Sequence, residues 1–352
     1  MTEPIVEKPG LRDLIQTSLP KDVVKATVDG YKSLHADTAG ARRANYVKLA
    51  NAYYDLATDF YEFGWGQSFH FAPRHSGETL EASLARDEFY IAHALGLRSG
   101  MLVLDLGCGV GGPMRAIARF SGAHIVGLNN NAYQIKRGAS HNEKAGFSER
   151  CSFLKADFMN IPAADKTYDA AYAIESTCYA PEKVTVFREV FRVLKEGAQF
   201  AGHDWCLTPR YDGANPRHVA LKKDLEEGCG LPDISYGTDV VDALRQAGFE
   251  LIAARDLAGD SDPETPWWLP LRGDYRSLMG FRRTPLGQWC THRLVSALET
   301  IGLAPKGAAA VSSFLSKGAN GLVGLGEIGA FTALFFYHAR KPLEIKRAPK
   351  RG

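Results

Sequence analysis

The spacing of hydrophobic and polar residues marks out successive helices and strands along the chain. From Ser76 to Leu97 apolar side chains recur at helical spacing, and either Ser76 or Thr79 can cap the start of this helix. The next apolar run, residues 101–106, ends in a cluster of glycines, and Pro113 stands where another helix begins. This order predicts a buried strand, a tight turn and a helix.

Strands and helices continue to alternate as far as residue 207. The strand-like stretches are residues 124–130, 151–158, 168–177 and 199–207. Such alternation predicts an α/β fold with a parallel sheet and helices on both faces. We therefore predict three parts, which are an N-terminal helical lid segment over 1–75, an α/β domain over 76–207 and a smaller C-terminal lobe over 208–352.

The composition is that of a globular protein and excludes one broad class of function. Of 352 residues, 45% are hydrophobic and 23% are charged, and the formal net charge is +2. A general nucleic-acid-binding protein carries a strong basic excess, so we predict no nucleic-acid partner. The six cysteines lie far apart without a C-x-x-C pair, which favours free thiols and predicts neither a disulfide scaffold nor a metal site.

Neither end of the chain has the pattern of a leader or a membrane span. Residues 1–10 are acidic and lack the apolar core of a signal peptide. Residues 318–339 are long enough to cross a bilayer, but they contain Glu327 and five glycines, so we interpret them as a buried or lipid-facing part of the fold. The basic tail, residues 339–352, is either simply solvated or attracted to an anionic membrane surface.

The glycine-rich stretch LDLGCGVGGPM, residues 104–114, predicts a turn whose backbone closely approaches a ligand. Its spacing fits a dinucleotide site, but the compact turn and the asparagines after the next strand favour S-adenosylmethionine over NAD. A carboxylate after the third strand can accept the adenine amino group while the following ring flanks the base. The predicted cofactor-binding residues here are Asp105, Gly107, Cys108, Gly109, Asn129, Asn130, Gln134, Asp157 and Phe158.

A second unusual stretch, YEFGWGQSFHF, spans residues 61–71. It holds five aromatic side chains, a histidine and two glycines, with one acid and no Lys or Arg. A core strand would carry fewer glycines, and a nucleic-acid platform would carry basic residues. We predict that this aromatic segment forms a lid over the cofactor, with Ser68 in contact with it.

Five segments together resemble the sterol C24-methyltransferases. They are YEFGWGQSFHF, LDLGCGVGGPM, IVGLNNNAYQI, AIESTCYAP and KGANGLVGLGEIGAFTALFFYHARKP, and the resemblance runs from about Tyr53 to Pro342. It implies a class I methyltransferase-type Rossmann-like fold with a substrate-binding C-terminal lobe. It also implies methyl transfer from S-adenosylmethionine to C24 of a sterol side-chain double bond, a cation at C25, a hydride shift and loss of a proton to give a 24-methylene sterol.

The resemblance also implies a setting for the protein. Peripheral membrane contact is expected, on the cytosolic face of the endoplasmic reticulum or on a lipid droplet in a eukaryote, and in the cytoplasm of a bacterium. The number of subunits stays open, a homo-oligomer included. Ser176 and Tyr179 stand where the family usually has Ala and His, and Asp204 replaces a Glu. A tyrosine is not a base near neutral pH, so no base role carries over to Tyr179.

A cationic reaction needs aromatic faces around the charge and a base for the final proton. Each well-placed ring contributes about 0.5–2 kcal/mol, and the rings assigned to this role, with ordinary core packing as the alternative, are Tyr61, Phe63, Trp65, Phe69 and Phe71. The candidate bases, among which the sequence does not choose, are Glu62, His70, Glu175 and Asp204. Trp267 and Trp268 either line the sterol rings or belong to the core.

Two other functions compete with this hypothesis. A different lipid-alkene methyltransferase, such as a cyclopropane fatty acid synthase, would share the cation chemistry without the full aromatic segment. A non-catalytic lipid-binding protein could keep a methyltransferase shell, although the intact glycine loop and Asp157 argue against that. The stretch GLGEIG at 324–329 also fits a dinucleotide pattern, but no βαβ unit surrounds it, so we assign it no cofactor role.

Overall fold

A mixed seven-stranded sheet organises the molecule. The computed structural model describes residues 19–343 except 274, 276 and 277. The strands are β1 (Leu102–Leu106), β2 (His124–Asn129), β3 (Cys151–Lys155), β4 (Tyr168–Ile174), β5 (Leu194–Leu207), β6 (Glu250–Asp256) and β7 (Phe331–Arg340). Their order across the sheet is β3-β2-β1-β4-β5-β7-β6.

The predicted parallel arrangement is confirmed for the first five strands. β1 pairs in parallel with β2 and β4, β2 pairs with β3, and β4 pairs with β5. Four of the five residues of β1 are buried. A strand that is covered on both faces reads as a continuous apolar run, which is the pattern seen before the glycine loop.

β7 follows the part of the chain for which a parallel sheet is predicted. It lies between β5 and β6 and runs antiparallel to both. Because β6 and β7 follow residue 207, the C-terminal part of the chain supplies two strands of the same sheet. Most residues of β7 are buried, so the apolar run in 331–339 is a core strand.

Helices cover both faces of the sheet, as predicted. In chain order they are α1 (Lys21–Ala36), α2 (Ala39–Ala44), α3 (Tyr46–Gly64), α4 (Leu80–Ala94), α5 (Gly112–Ser121), α6 (Ala132–Ala145), α7 (Lys183–Val193), α8 (Pro216–Cys229), α9 (Gly237–Gln246), α10 (Leu269–Arg272), α11 (Leu278–Arg283), α12 (Pro285–Thr300) and α13 (Ala308–Glu327). α4 packs against α5, and α7 packs against α9. His203 and Asp204 are neighbours in β5, and they bond to α4 and α7 respectively, so these two helices lie on opposite faces.

Local signals fix the ends of two elements that matter for the site. Thr79 caps α4, because its hydroxyl accepts a hydrogen bond from the Ala82 N–H at 3.1 Å. The aromatic segment is divided, since residues 61–64 form the last turn of α3 and residues 65–71 continue without regular secondary structure.

The glycine-rich α13 packs unusually close to α8. A Cβ atom added to Gly228 of α8 would lie 2.0 Å from the backbone N of Gly318 in α13, so only glycine allows this approach. Gly326, in the GLGEIG stretch, is similarly close to the Trp268 ring. The glycines of this region therefore serve helix packing, which is why they imitate a cofactor motif without its strand and turn.

Two further points concern the predictions about membranes and termini. Among the helices that the structure describes, none is both long enough and apolar enough to cross a bilayer. The prediction about residues 1–10 and most of the basic tail, from residue 344 onward, falls outside the described residues.

Candidate active site

An open cleft lies at the carboxyl ends of β1 to β4. Its volume is about 670 Å³ including its mouth. In a parallel sheet this edge is where the groups that follow several strands meet. The predicted site residues that line the cleft are Phe69, Gly107, Gly109, Asn129, Asn130, Gln134, Phe158 and Glu175.

A smaller cavity of about 330 Å³ adjoins the cleft at the glycine loop. It shares Phe69, Gly107 and Gly109 with the cleft and adds three further predicted residues, His70, Asp105 and Cys108. The predicted residues that line neither space, among those the structure describes, are Tyr61, Glu62, Phe63, Trp65, Ser68, Phe71, Asp157, Asp204, Trp267 and Trp268.

The glycine loop has the backbone conformation that its sequence predicts. Gly107 and Gly109 have φ values of 76° and 53°, which favour glycine. The nearest atom to a Cβ added at Gly109 would be a Phe69 ring carbon 3.8 Å away, so the loop presents open backbone to the cleft there. Gly112 has another role, because its added Cβ would lie 2.1 Å from the Gln67 carbonyl oxygen. The absence of a side chain at Gly112 therefore lets the aromatic segment pack against the start of α5, and it does not make room for a ligand.

Amide side chains form the wall of the cleft after β2. Asn129 donates a hydrogen bond to Gln134 Oε1 at 2.9 Å and another to the Gly109 carbonyl at 3.2 Å. Gln134 in turn donates to Thr58 of α3 at 3.2 Å. These bonds tie the glycine loop, α6 and α3 together and hold polar groups at the cleft surface.

The residues after β3 frame the cleft with a stacked pair of rings. Asp157 accepts hydrogen bonds from the Tyr46 hydroxyl and from the Met159 N–H. The Tyr46 and Phe158 rings stack with centroids 6.1 Å apart and planes 19° apart. Asp157 thus holds Tyr46 in place at the cleft, and Phe158, the ring predicted to flank the adenine, also lines it.

Glu175 is the carboxylate that lines the cleft. It follows β4 with a φ of 52°, a left-handed conformation that is uncommon outside glycine and marks functional sites. Its Oε1 accepts the Phe71 N–H at 2.7 Å and its Oε2 accepts the Trp205 indole N–H at 2.6 Å. Burial raises the pKa of Glu175 to about 8, against the opposing effect of these donors and of His70.

A buried network of charged side chains lies behind Glu175. His203 Nδ1 is 3.8 Å from Glu175 Oε1, and its Nε2 is 2.6 Å from Asp87 Oδ2. His70 Nε2 lies 3.1 Å from Glu88 Oε1. Burial lowers the pKa of His70, but Glu88, Asp87 and Glu175 together raise it above its ordinary value. These carboxylates therefore favour the protonated form of His70 beside the carboxylate that lines the cleft.

One group in this network has the composition of a metal site. Within the described part of the chain, ligand atoms of His70, Asp87 and His203 lie within 4.8 Å of one another. The 2.6 Å separation of His203 Nε2 and Asp87 Oδ2 is, however, the length of a charge-assisted hydrogen bond. The group is best described as a hydrogen-bonded cluster.

The aromatic segment does not present all its rings to the cleft. Phe69 lines it, and its ring centroid lies 5.4 Å from that of Tyr61. Trp65 packs on Phe71 at 5.2 Å and donates its indole N–H to the His70 carbonyl at 3.1 Å. Phe71 is buried and continues into a cluster with Trp205, Trp267 and Phe331. Ordinary core packing is therefore what the structure shows for Trp65, Phe71 and Trp267, and Phe63 is half-buried.

Three predicted polar residues serve contacts away from the cleft. Glu62 accepts hydrogen bonds from Arg137 at 2.8 Å and His141 at 2.5 Å. Asp204 accepts bonds from Lys183 at 2.6 Å and Thr177 at 2.7 Å on the other face of the sheet. Ser68 donates to Glu88 at 2.7 Å. The expectation that Asp204 points into the crevice is wrong, because side chains alternate between faces along a strand.

Two remaining predicted residues support the glycine loop from below. Asp105 accepts a hydrogen bond from the Tyr172 hydroxyl at 2.9 Å, and burial raises its pKa to about 7. Cys108 is buried, and a Cβ at Gly127 would lie 2.7 Å from its sulfur. Asp105 lies in β1 and Cys108 lies in the loop, and both line the smaller cavity.

Three tyrosines line the cleft, and two of them, Tyr46 and Tyr54, were not predicted from the sequence. Tyr46 and Tyr54 come from α3, and Tyr179 follows β4. The Tyr54 hydroxyl donates to the Tyr179 oxygen at 2.9 Å, and Tyr179 donates to the Cys229 carbonyl at 2.9 Å. The signal was the helical spacing of tyrosines at 46, 53, 54 and 61, which gives α3 a face of rings.

Comparisons with known proteins agree with this architecture. Residues 104–202 match the model of the methyltransferase domain, and residues 278–343 match that of the sterol methyltransferase C-terminal region. Cycloartenol-C-24-methyltransferase 1 of Oryza sativa is 50% identical over 328 residues, which cover 92% of this chain and 95% of that protein. The chain belongs to the sterol 24-C-methyltransferase family.

Relatives in this sterol 24-C-methyltransferase family extend to fungi. The Saccharomyces cerevisiae sterol 24-C-methyltransferase is 40% identical over 348 residues, 96% of this chain and 91% of that protein. Among solved structures, the cyclopropane synthase MmaA2 of Mycobacterium tuberculosis has a TM-score of 0.66 at 17% identity, covering 84% of this chain and 98% of that one. At that identity the likeness shows a shared class I methyltransferase fold only.

Proposed function

We propose that this chain transfers a methyl group from S-adenosylmethionine to C24 of a sterol with a side-chain double bond at that carbon. The observation that carries the proposal is the position of Glu175, a buried carboxylate at the wall of a ring-lined cleft beside the glycine loop. The 50% identity to a cycloartenol-C-24-methyltransferase supports the same substrate class.

The residues around the loop fit S-adenosylmethionine. Gly109 leaves backbone open to the cleft, Gly107 lines it beside Ser176, and Asn130 and Gln134 supply amide groups there. Phe158 offers a ring for the adenine. When bound, S-adenosylmethionine supplies an electrophilic methyl group to the alkene. The residues of this chain then have two tasks, which are to stabilise positive charge on the sterol side chain and to accept a proton.

Aromatic faces suit the first task because they attract a cation without forming a bond to it. The cleft is lined by Tyr46, Tyr54, Phe69, Phe158 and Tyr179. Each well-placed face stabilises a cation by about 0.5–2 kcal/mol. Because the charge at C25 develops only during reaction, this stabilisation raises the rate more than the affinity for the sterol.

Glu175 suits the second task. The hydrogen on C24 first moves with its electron pair to C25, which places the positive charge on C24. A C–H bond of the new methyl group then breaks, its electron pair forms the exocyclic double bond at C24, and the proton passes to a Glu175 carboxylate oxygen. The raised pKa of about 8 makes Glu175 a stronger base than an ordinary carboxylate. Of the four candidate bases, Glu175 lines the cleft, while Glu62 and Asp204 are held in ion pairs elsewhere.

One assay separates the three functions considered. Purified protein is incubated with methyl-labelled S-adenosylmethionine and one of three lipids, namely a Δ24 sterol, its side-chain-saturated analogue or an unsaturated phospholipid. We expect label in the Δ24 sterol alone, as a 24-methylene product in mass spectrometry. Label in the phospholipid alone would identify a fatty-acid-modifying enzyme. Cofactor binding without label in any lipid would indicate a binding protein.

A further inference from the structure

The outer face of α12 exposes large apolar side chains. Leu286, Trp289 and Leu294 on the helix, and Ile301 and Leu303 directly after it, are each more than half exposed. Trp289 lies three residues after Leu286, and positions 286, 290, 294, 297 and 301 recur every three or four residues, so these residues share one side of the helix. α12 packs against α11 and α13 with its other side. Single exposed apolar residues are ordinary, but a continuous stripe marks a contact surface.

This α12 face is also cationic. Arg293 of α12 is exposed, and its guanidinium lies 5.5 Å from the centre of the Trp289 ring. Arg282, in the helix before α12, and Lys306, in the loop after it, are exposed as well. Residues 278–326 contain five Lys or Arg and one acid, Glu299. That acid is already engaged, since it accepts the Gly307 and Ala309 N–H groups at 2.9 and 3.0 Å.

Arg283 joins the α12 face to the cleft. This last residue of α11 donates hydrogen bonds to the Gly64 carbonyl at 3.0 Å and the Pro270 carbonyl at 2.6 Å. Gly64 ends α3, and from there the aromatic segment leads to Phe69 in the cleft. Arg283 therefore connects the helix before α12 to the aromatic segment, whose Phe69 lines the cleft.

We propose that the α12 face docks on an anionic phospholipid bilayer. The apolar side chains lie at the boundary between headgroups and acyl chains, and the three cations contact lipid phosphates. Tryptophan is favoured at that boundary because its ring is apolar and its indole N–H is a hydrogen-bond donor. A second copy of the chain fits less well, since two copies of one cationic face would repel each other across a symmetric interface.

Sedimentation of the full chain with vesicles tests the proposal. We expect binding to phosphatidylcholine vesicles that contain phosphatidylserine, weaker binding to phosphatidylcholine alone, and a decrease with added salt. Trp289→Glu with Leu294→Glu should weaken binding by about tenfold for each apolar side chain removed. Arg282→Gln with Arg293→Gln should weaken only binding to the anionic vesicles, by about fivefold per charge.

Val219→Glu is the matched control, because Val219 is an exposed apolar residue on the different helix α8. It should bind vesicles like the unchanged protein, and thermal unfolding should be the same for all the variants. A brominated acyl chain should quench Trp289 emission, and Trp289→Phe should remove that quenching. Equal binding by the α12 double variant and the control would overturn the proposal.

Two further outcomes also bear on the α12 face. If light scattering shows an oligomer that Trp289→Glu with Leu294→Glu dissociates, while vesicle binding persists, the face is an interface between copies. Vesicle binding does not require catalytic turnover, so its result is independent of whether the proposed function is correct. The link to catalysis rests on that function, and we expect the double variant to keep turnover on cyclodextrin-delivered sterol while losing it on vesicle-embedded sterol.

Discussion

The ends of β4 and β5 hold two buried carboxylates in very different surroundings. Glu175 lines the cleft, and its hydrogen bonds come from a backbone N–H and an indole N–H. Asp204 lies on the opposite face of the sheet and pairs with the Lys183 ammonium. Glu175 directly follows the last residue of β4, has a pKa raised by burial and lines the cleft, whereas Asp204 lies inside β5, which continues to Leu207. Glu175 adopts a left-handed conformation after β4 has ended, whereas Asp204 follows the alternation of β5 onto the opposite face, and this difference separates a candidate base from a structural ion pair.

Glu175→Gln gives the largest effect that this comparison predicts. Gln keeps the size of the side chain but cannot accept a proton, so kcat should fall by about 10²–10⁴-fold. The amide leaves one of the two N–H donors without an acceptor, which costs about 1–3 kcal/mol of stability. Turnover on the Δ24 sterol measures the first effect and thermal unfolding the second. Turnover within a few-fold of the unchanged protein would remove Glu175 as the base.

Asp204→Asn should affect stability where Glu175→Gln affects chemistry. The change leaves the buried Lys183 ammonium without its counter-charge, and we expect a loss of about 3 kcal/mol in the free energy of unfolding. Denaturant unfolding measures this loss. At a temperature where the variant is folded, kcat per folded molecule should be unchanged. A selective loss of kcat would place Asp204 in the reaction and contradict the separation of the two carboxylates.

The aromatic segment offers the same contrast between cleft and core. Phe69→Leu removes a cation-stabilising face and should lower kcat about tenfold with little effect on folding. Trp65→Leu removes an indole that packs on Phe71 and bonds to the His70 carbonyl, so it should cost about 2–3 kcal/mol of stability. Turnover and thermal unfolding of both variants decide the matter. The reverse pattern would make Trp65 the more important ring for the reaction.

The pH dependence supplies the smallest effect. Glu175 accepts a proton only when ionised, so kcat/KM should rise with pH and level off above about 8. Between pH 7 and 8 the increase is about fivefold, because the ionised fraction grows from about a tenth to a half.

Stability should change in the opposite direction. The folded protein binds this proton more tightly than the unfolded chain, so its contribution to stability is complete at pH values below the ordinary carboxyl pKa. It is lost as the pH rises to about 8. Glu175→Gln should remove both trends. A profile of kcat/KM that is flat between pH 6 and 9 in the unchanged protein would contradict the assignment.

Local patterns predicted the parts of the fold that depend on short-range chemistry. The strand, glycine turn and helix around residues 102–121 were predicted because burial of β1 and the φ values of Gly107 and Gly109 follow from nearby sequence. The direction of β7 was not, because an apolar run near a chain end shows burial but not pairing. The sheet order that places β7 between β5 and β6 depends on contacts far apart in sequence.

The site residues that follow from local sequence were predicted, and those that depend on long-range contacts were not. Glu175 was named because it ends a predicted strand, and Asp204 was misplaced because a shift of one residue reverses the face. Asp87, Glu88 and His203 were missed entirely. They come together only when α4 packs on β5, and nothing in their own segments distinguishes them from surface charges.

Gly112 has a consequence for changing this enzyme by mutation. The Gln67 carbonyl rests against its backbone where any side chain would stand, and Arg115 of the same helix donates to Gln67 Oε1 at 2.7 Å. The aromatic segment and the start of α5 therefore pack closely and depend on each other's shape. Substitutions in the aromatic segment that disturb its contacts with residues 112 and 115 will also disturb the glycine loop that precedes α5. We therefore expect changes in sterol preference to be accompanied by changes in cofactor affinity.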